Sequence, residues 1–374
     1  MRVVVCGRGV PSPGSPLLGI FELDQARALS QAGVQVVYAA LDVRSVRRWR
    51  RWGLRHRTLD GVAVVELNVP LGRLPRSVNR MVMTRLWDLL LAAVVARHGR
   101  PDLLHGHFLP WTAALAGARL AAGVPLVVTE HWSQVRPGMP ADIRALGHQV
   151  FGRAAAVLAV SQPLADTISR EFGVGARVVP DIIDVATFGE VASVPRAPGI
   201  RLVATGNLIP RKNLDGLLQA FADGAPDDAR LTVIGHGPEL SRLESLSASL
   251  GLDGRVRFTG RLARREMARE YARATGFALA SHAETFGVVW AEALAAGLPV
   301  LATRCGGPED FVSPEDGVLV ADDPAQLERG MAELCAGISS GRWDGSELST
   351  RASARFSGGA VVAQLDEVYD AVRR

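Results

Sequence analysis

Cysteine is scarce in this chain: three thiols among 374 residues, Cys6, Cys305 and Cys335, odd in number and far apart. That excludes a disulfide scaffold and fits a reducing, cytoplasmic setting. Long apolar runs are missing too. The nearest approaches, over 86–96 and 111–128, are broken by Asp88 and Arg119, so no membrane span is expected. A secretory leader is not expected either. The segment from Arg2 to Cys6 starts a buried strand at once, and no small-residue cleavage site follows it. Low-complexity blocks are absent, because the 39 glycines and 21 prolines are spread along the chain as turns.

What is present is the balance of a globular protein, with 48% hydrophobic and 21% charged residues. The length calls for two domains. Net charge is only +4, yet the pI is about 9.4 because arginine dominates the cations. That favours a polyanionic partner such as phosphate groups, an anionic membrane or nucleic acid, and does not choose among them.

Both halves alternate short apolar strands with amphipathic helices, the pattern of parallel sheets covered on both faces. In the first half strands are expected over 3–6, 34–39, 62–67, 103–105, 126–129 and 157–160, with helices over 21–31 and 78–97. In the second half strands are expected over 200–205, 231–234, 256–259, 277–280 and 300–302, with helices over 214–221 and 288–296. The expected domains are 1–186 and 199–355, joined by a linker over 187–198, with a closing helix over 356–374 that packs back toward the first domain. Two doubly wound domains facing each other would line one cleft with the C-terminal ends of their strands.

Two segments carry chemistry. In the first, a strand ends at Thr205, Gly206 turns, and Arg211 and Lys212 precede a helix, an arrangement suited to a diphosphate; a solvated basic turn is the other reading. In the second, Glu284 follows a buried strand inside an apolar stretch, where a charge needs a partner. Thr285 is placed to cap the next helix, which would turn the N–H groups of Phe286, Gly287 and Val288 outward. Glu292 lies on that helix, as a ligand or as a plain surface glutamate.

Glu284 and Glu292, separated by seven residues and followed by Ala-Leu-Ala-Ala-Gly-Leu-Pro-Val, resemble the E-x7-E signature of the glycogen-synthase-like retaining glycosyltransferases. More narrowly, the chain resembles glycosyltransferase family 4. The further matches fall in the family's order: Gly19 with Asp24-Gln-Ala-Arg-Ala-Leu, Pro101-Asp-Leu-Leu-His-Gly-His-Phe, Thr129-Glu-His131, Ala159-Val-Ser161, Gly235-His-Gly-Pro-Glu and Gly306-Gly-Pro-Glu309.

The resemblance implies a GT-B fold and a nucleotide-sugar donor, UDP- or GDP-linked. By it, Glu284 contacts the donor sugar and Glu292 the ribose. Arg211 and Lys212 face the diphosphate, with Gly206, Asn207 and Gly237 beside it and backbone donors from Phe286, Gly287 and Val288. Gly19 lets backbone approach from the other side, Arg261 and Leu262 frame the base, and His131 stands near the reacting sugar. Three departures stand out. The chain has Gly206-Asn207 where the family often has Gly-Arg, Leu18 before Gly19 where two glycines are common, and Pro180-Asp181-Ile182 in place of Pro-Asn-Gly.

The implied chemistry is retention of configuration with no metal and no cofactor, moving a hexose-type sugar to a glycan or lipid-linked acceptor. Its main demand is stabilising the leaving diphosphate. His105, His107 and His131 invite a zinc reading, but no cysteine or carboxylate completes a tetrahedral set, and polar or core histidines are expected instead. Asp227-Asp228 and Asp322-Asp323 read as helix caps. The tract holding Arg44, Arg47, Arg48, Arg50, Arg51, Arg55 and Arg57, interleaved with Trp49 and Trp52, suits peripheral contact with an anionic membrane. An exposed helix or loop with its tryptophans packed inward is the other reading, and no nucleic-acid fold signature accompanies the tract. A nucleotide-sugar epimerase or phosphorylase on this architecture, or a non-catalytic binding protein, are the alternatives. A phosphorylase holds no nucleotide for Glu292.

Overall fold

The structure is a computed structural model that describes residues 1–12, 15, 18–45, 50–71, 76–192, 194–196 and 198–373, with backbone alone at 76 and 77. The remaining positions, including parts of the expected loops, the middle of the arginine tract with Trp49, two linker positions and residue 374, lie outside the described residues.

Contacts divide the chain into two units, Met1–Ile182 with Gly358–Arg374, and Ile183–Ser357. The first is built on β1 (Arg2–Gly7), β2 (Gln35–Arg44), β3 (Gly53–Leu59), β4 (Val62–Pro70), β5 (Leu103–His107), β6 (Leu126–Glu130), β7 (Ala156–Ala159) and β8 (Arg177–Val178). Their order is β3-β4-β2-β1-β5-β6-β7-β8. All neighbours run parallel except β3, which pairs antiparallel with β4. Val3, Val4 and Val5 are fully buried, the continuous apolar run that a sheet covered on both faces requires.

The second unit holds β9 (Arg201–Thr205), β10 (Arg230–Ile234), β11 (Val256–Gly260), β12 (Gly276–Ala278), β13 (Val300–Thr303) and β14 (Gly317–Val320). All are parallel, in the order β11-β10-β9-β12-β13-β14. That is the doubly wound order, and it reverses between β9 and β12. The connections leaving those two strands diverge and open a crevice at their C-terminal ends. The first sheet reverses in the same way between β1 and β5.

Several expectations need correction. The arginine tract is neither helix nor loop at its C-terminal end but the edge strand β3, because Arg55 and Arg57 reach the buried Glu66 of β4 at 3.0 and 2.7 Å. The division between units falls at residue 182, ahead of the expected 186. Helix Val185–Gly189 belongs to the second unit, where the Phe188 ring packs 5.4 Å from that of Tyr271. The expected linker therefore begins as helix. The closing helix Gly358–Arg373 lies in the first unit and adds Val361, Val362, Leu365, Val368 and Tyr369 to its core. Of the acidic pairs, Asp323 does cap helix Pro324–Ser339, accepting from the Gln326 N–H at 3.0 Å. Asp322 instead meets His282 Nδ1 at 2.7 Å, and Asp227 and Asp228 sit in the turn before β10.

Candidate active site

The reversal of the second sheet carries the charged residues. After β9 the chain turns through Gly206 and Asn207 into a short 3-10 turn, Pro210–Lys212. Lys212 is only 9% exposed, and its Nζ donates to Glu284 Oε1 at 2.5 Å. The ammonium also stands 5.9 Å from the centre of the Trp290 ring. Arg211 is more exposed; its Nη1 donates to the Ala283 carbonyl at 2.6 Å and approaches Glu284 Oε2 at 3.4 Å. Backbone bonds fix the pairing, since His282 N–H donates to the Arg211 carbonyl at 2.9 Å and Glu284 N–H to that of Cys305 at 2.8 Å.

Lys212 is also the only lysine of the chain, which otherwise takes its positive charge from arginine. A compact ammonium fits a confined anion site where a planar guanidinium does not.

Glycines shape the surrounding backbone. A Cβ on Gly235 would lie 1.8 Å from the Gly206 carbonyl oxygen, and one on Gly237 would lie 2.2 Å from that of Leu208. The loops after β9 and β10 therefore touch backbone to backbone. Gly235 N–H donates to the Gly260 carbonyl at 2.9 Å, which brings the end of β11, and with it exposed Arg261 and half-buried Leu262, into the same edge.

Helix Val288–Ala295 starts from Gly287 at φ 95°, with no side-chain cap. The expected Thr285 cap is thus replaced by a glycine. Among the described residues the N–H groups of Phe286, Gly287 and Val288 meet no backbone or side-chain acceptor, leaving donors for an anion. The helix after Lys212 differs from expectation. Asn213 accepts from Gly216 N–H at 3.2 Å and caps helix Leu214–Gly224, so that N-terminus is already engaged. Glu292 is buried in helix Val288–Ala295 rather than on its surface. Burial, and after it the charge of Glu292, hold the Tyr271 phenol well above its ordinary value. Tyr271 in turn bonds to Thr205 at the end of β9. Burial pushes the neighbouring Cys305 thiol up to about 12, so it offers no nucleophile.

The reversal of the first sheet is furnished with rings. Gly19, at φ 72°, starts helix Ile20–Gln31. A Cβ there would lie 2.0 Å from the Gly9 carbonyl oxygen, and Tyr38 locks the contact by donating to that oxygen at 2.6 Å. Gly9 and Gly19, ten positions apart, thus form the close backbone approach that adjacent glycines would otherwise supply. Arg8 lies 3.3 Å over the Phe108 ring and pairs with the fully buried Glu22 at 2.9 Å.

Past β5 and β6 come the histidines. His105 is saturated: Nδ1 meets Tyr369 Oη at 2.7 Å and Gln25 Nε2 at 2.9 Å, and Nε2 meets Thr129 Oγ1 at 2.7 Å. Burial drives it down to about 3, and His107 well below its ordinary value, so both are neutral. The His105 and His107 rings stack 4.6 Å apart instead of converging on a point. Among the described residues no group of three or more His, Cys, Asp or Glu side chains could hold a metal. Glu130 accepts from the N–H groups of Leu109, His131 and Trp132, yet burial outweighs these bonds and raises it to about 7.

Residues 21–187 match the family described as Glycosyltransferase Family 4, and residues 195–337 match Glycosyl transferases group 1. The D-inositol 3-phosphate glycosyltransferase of Xylanimonas cellulosilytica is 30% identical over 323 residues, 76% of this chain and 76% of that protein. The chain belongs to glycosyltransferase family 4. Solved structures show the fold. The sucrose-phosphate synthase of Thermosynechococcus elongatus has a TM-score of 0.81 at 21% identity, covering 99% of this chain and 98% of that one. HepE of Anabaena, in complex with UDP-glucose, has a TM-score of 0.71 at 20% identity and covers 99% of each chain. This glycosyltransferase has the GT-B fold.

Seen as a family 4 glycosyltransferase, the second unit brings Gly206, Asn207, Arg211, Lys212, Gly237, Arg261, Leu262, Glu284, Phe286, Gly287, Val288 and Glu292 to one edge of its sheet. Gly19 and His131 share an edge of the first. Sequence reasoning missed Arg8, Tyr38, Glu130 and the role of Asp181, which is 7% exposed and lies 3.0 Å from His131 Nδ1. Asp181 had given a signal as a departure from the family's pattern, and Glu130 as the middle residue of Thr129-Glu-His131.

Proposed function

We propose that this glycosyltransferase moves a hexose from a nucleoside diphosphate sugar to a hydroxyl of a glycan or lipid-linked acceptor, with retention and without a metal. The observation that carries the reading is the sole lysine of the chain, paired at the reversal of the second sheet with Glu284, which stands just before the uncapped donors at 286–288. Lys212 and Arg211 would take the diphosphate, while Glu284, released from them, holds hydroxyls of the sugar. The bond from the anomeric carbon to phosphate oxygen breaks, and the acceptor oxygen joins that carbon from the same face. The acceptor's proton passes to the leaving phosphate oxygen, so no separate acid and base are required. Glu292, buried next to Tyr271, serves the ribose.

The family membership supports a sugar donor, and the UDP-glucose held by HepE puts the uridine nucleotide first in the test. Three free cysteines suit a reducing, cytoplasmic setting. No helix among the described residues is long and apolar enough to cross a membrane. The arginine tract has no part in the reading: Arg44 and Arg50 pair with Asp42, and Arg55 and Arg57 pair with Glu66.

The single lysine makes the test direct. An amine-directed reagent should abolish transfer from UDP-glucose or GDP-mannose by modifying Lys212, found by peptide mass mapping. The matching nucleoside diphosphate should protect that residue and raise the melting temperature, by about 2.7 kcal/mol of stability at a hundred times its Kd. Full activity after complete modification of Lys212 would defeat the reading.

A further inference from the structure

We propose that Asp181 is the positioning residue of His131, its carboxylate deciding which ring nitrogen carries the proton. The proposal rests on the reading of His131 as the residue near the transferred sugar. The ring is held on every side. Its backbone N–H donates to Glu130 at 2.9 Å; its faces stack on Phe108, centroids 4.7 Å apart, and more loosely on Phe21 at 6.0 Å. Both nitrogens face protein groups, Nδ1 with Asp181 Oδ1 at 3.0 Å and Nε2 with His107 Nδ1 at 2.9 Å. The Asp181 oxygen stands off the line of the ring N–H, a contact of the kind that tightens when a ligand orders a site.

Proton counting gives Asp181 its weight. A neutral imidazole carries one N–H. His107 is buried and neutral, and its Nε2 has no partner among the described residues. With Asp181 holding the proton of His131 on Nδ1, Nε2 is free to accept from His107 Nδ1–H, and each contact joins a donor to an acceptor. Without that carboxylate the His131 proton can move to Nε2 and confront His107. Buried Asp181 needs a partner in turn, and among the described residues no other group is paired with it. The cavity lined by His131, Asp181, Thr129 and Gln25 holds about 10 Å³. That is room for one water and not for a sugar, so Asp181 acts through the ring and does not touch substrate.

Histidine nitrogen NMR on the full chain reads the tautomer, and UDP-glucose turnover reads its consequence. The wild type should show a protonated Nδ1 on His131, and Asp181→Ala should shift that proton to Nε2. Turnover kcat in Asp181→Ala should fall about 100-fold, the cost of a misplaced group, with the donor KM within roughly two-fold. Asp181→Asn, whose amide oxygen still accepts a hydrogen bond, should keep the tautomer and recover to within roughly five-fold. The UDP-induced melting shift, a property of the second unit, should be equal in all three. An unchanged His131 tautomer in Asp181→Ala, or an Asn variant as impaired as the Ala one, would overturn the proposal. A wild type that turns over no nucleotide sugar would sink the functional reading instead, and the tautomer would then decide on Asp181 by itself.

Discussion

Both sheets reverse their strand order beside their first strand, after β9 in one unit and after β1 in the other, but the residues set at the two reversals differ in kind. In the second unit they are charges that hold each other: Lys212 and Arg211 on Glu284, followed by N–H groups with no acceptor among the described residues. Such a set leaves donors open to an anion. In the first unit they are rings packed on one another, with neutral His105 and His107 stacked in the core and Arg8 matched by Glu22. One edge is built to exchange partners, the other to stay as it is.

The comparison can be broken most forcefully at Lys212. Lys212→Ala should cost about 1,000-fold in kcat/KM, on the scale of one removed transition-state donor. Lys212→Arg should recover little of it, because the ammonium sits confined beside Trp290 and Gly206. Steady-state kinetics with a saturating acceptor check both. Next comes Gly19→Ala, which sets a Cβ 2.0 Å from the Gly9 carbonyl at a φ of 72°. Strain and clash together should cost about 3 kcal/mol and lower the melting temperature by about 6–12 °C.

A smaller effect tests how far the ring stack depends on its neighbours. Tyr369→Phe removes one buried hydrogen bond from His105 and should cost about 1–2 kcal/mol in denaturant unfolding. The last test is pH. The folded chain keeps His105 neutral down to about 3 and His107 likewise well below its ordinary value, whereas the unfolded chain protonates both near 6.5. Stability should therefore fall as pH drops below 6.5, by up to about 1.4 kcal/mol per pH unit for each ring. Glu130 works the other way, losing stability as pH rises from 4.5 through about 7. Replacing His105 by a non-titrating residue should flatten the acid limb in a melting series.

The second unit was largely readable in advance because its chemistry is local. Strand, glycine turn and cation follow one another within nine residues, and the glutamates sit eight positions apart on a loop and the helix behind it. The first unit hides more, since its decisive contacts join distant positions. Arg44, Arg50, Arg55 and Arg57 look like free cations until Asp42 of β2 and Glu66 of β4 are seen to pair with them. No periodicity announces an ion pair across a sheet, so an edge strand was read as helix or loop. Asp181 stood in the sequence only as a misfit. Its partner lies fifty residues earlier, and only strand order brings them together. The cap expected at Thr285 failed for a local reason: the residue had the right chemistry, but the backbone needed the φ of 95° that Gly287 supplies two residues later.

The first unit opens the chain and also closes it, and this sets an order of events during synthesis. Once residue 182 has emerged, the face that Val361, Val362, Leu365, Val368 and Tyr369 will cover stays bare while roughly 175 further residues are added. At ribosomal speed that is on the order of ten to thirty seconds, time enough for the second unit to finish folding first. The part made first is thus sealed last, and a nascent chain cut short before Gly358 carries a finished second unit and, in the first, an apolar surface open to chaperones or to aggregation.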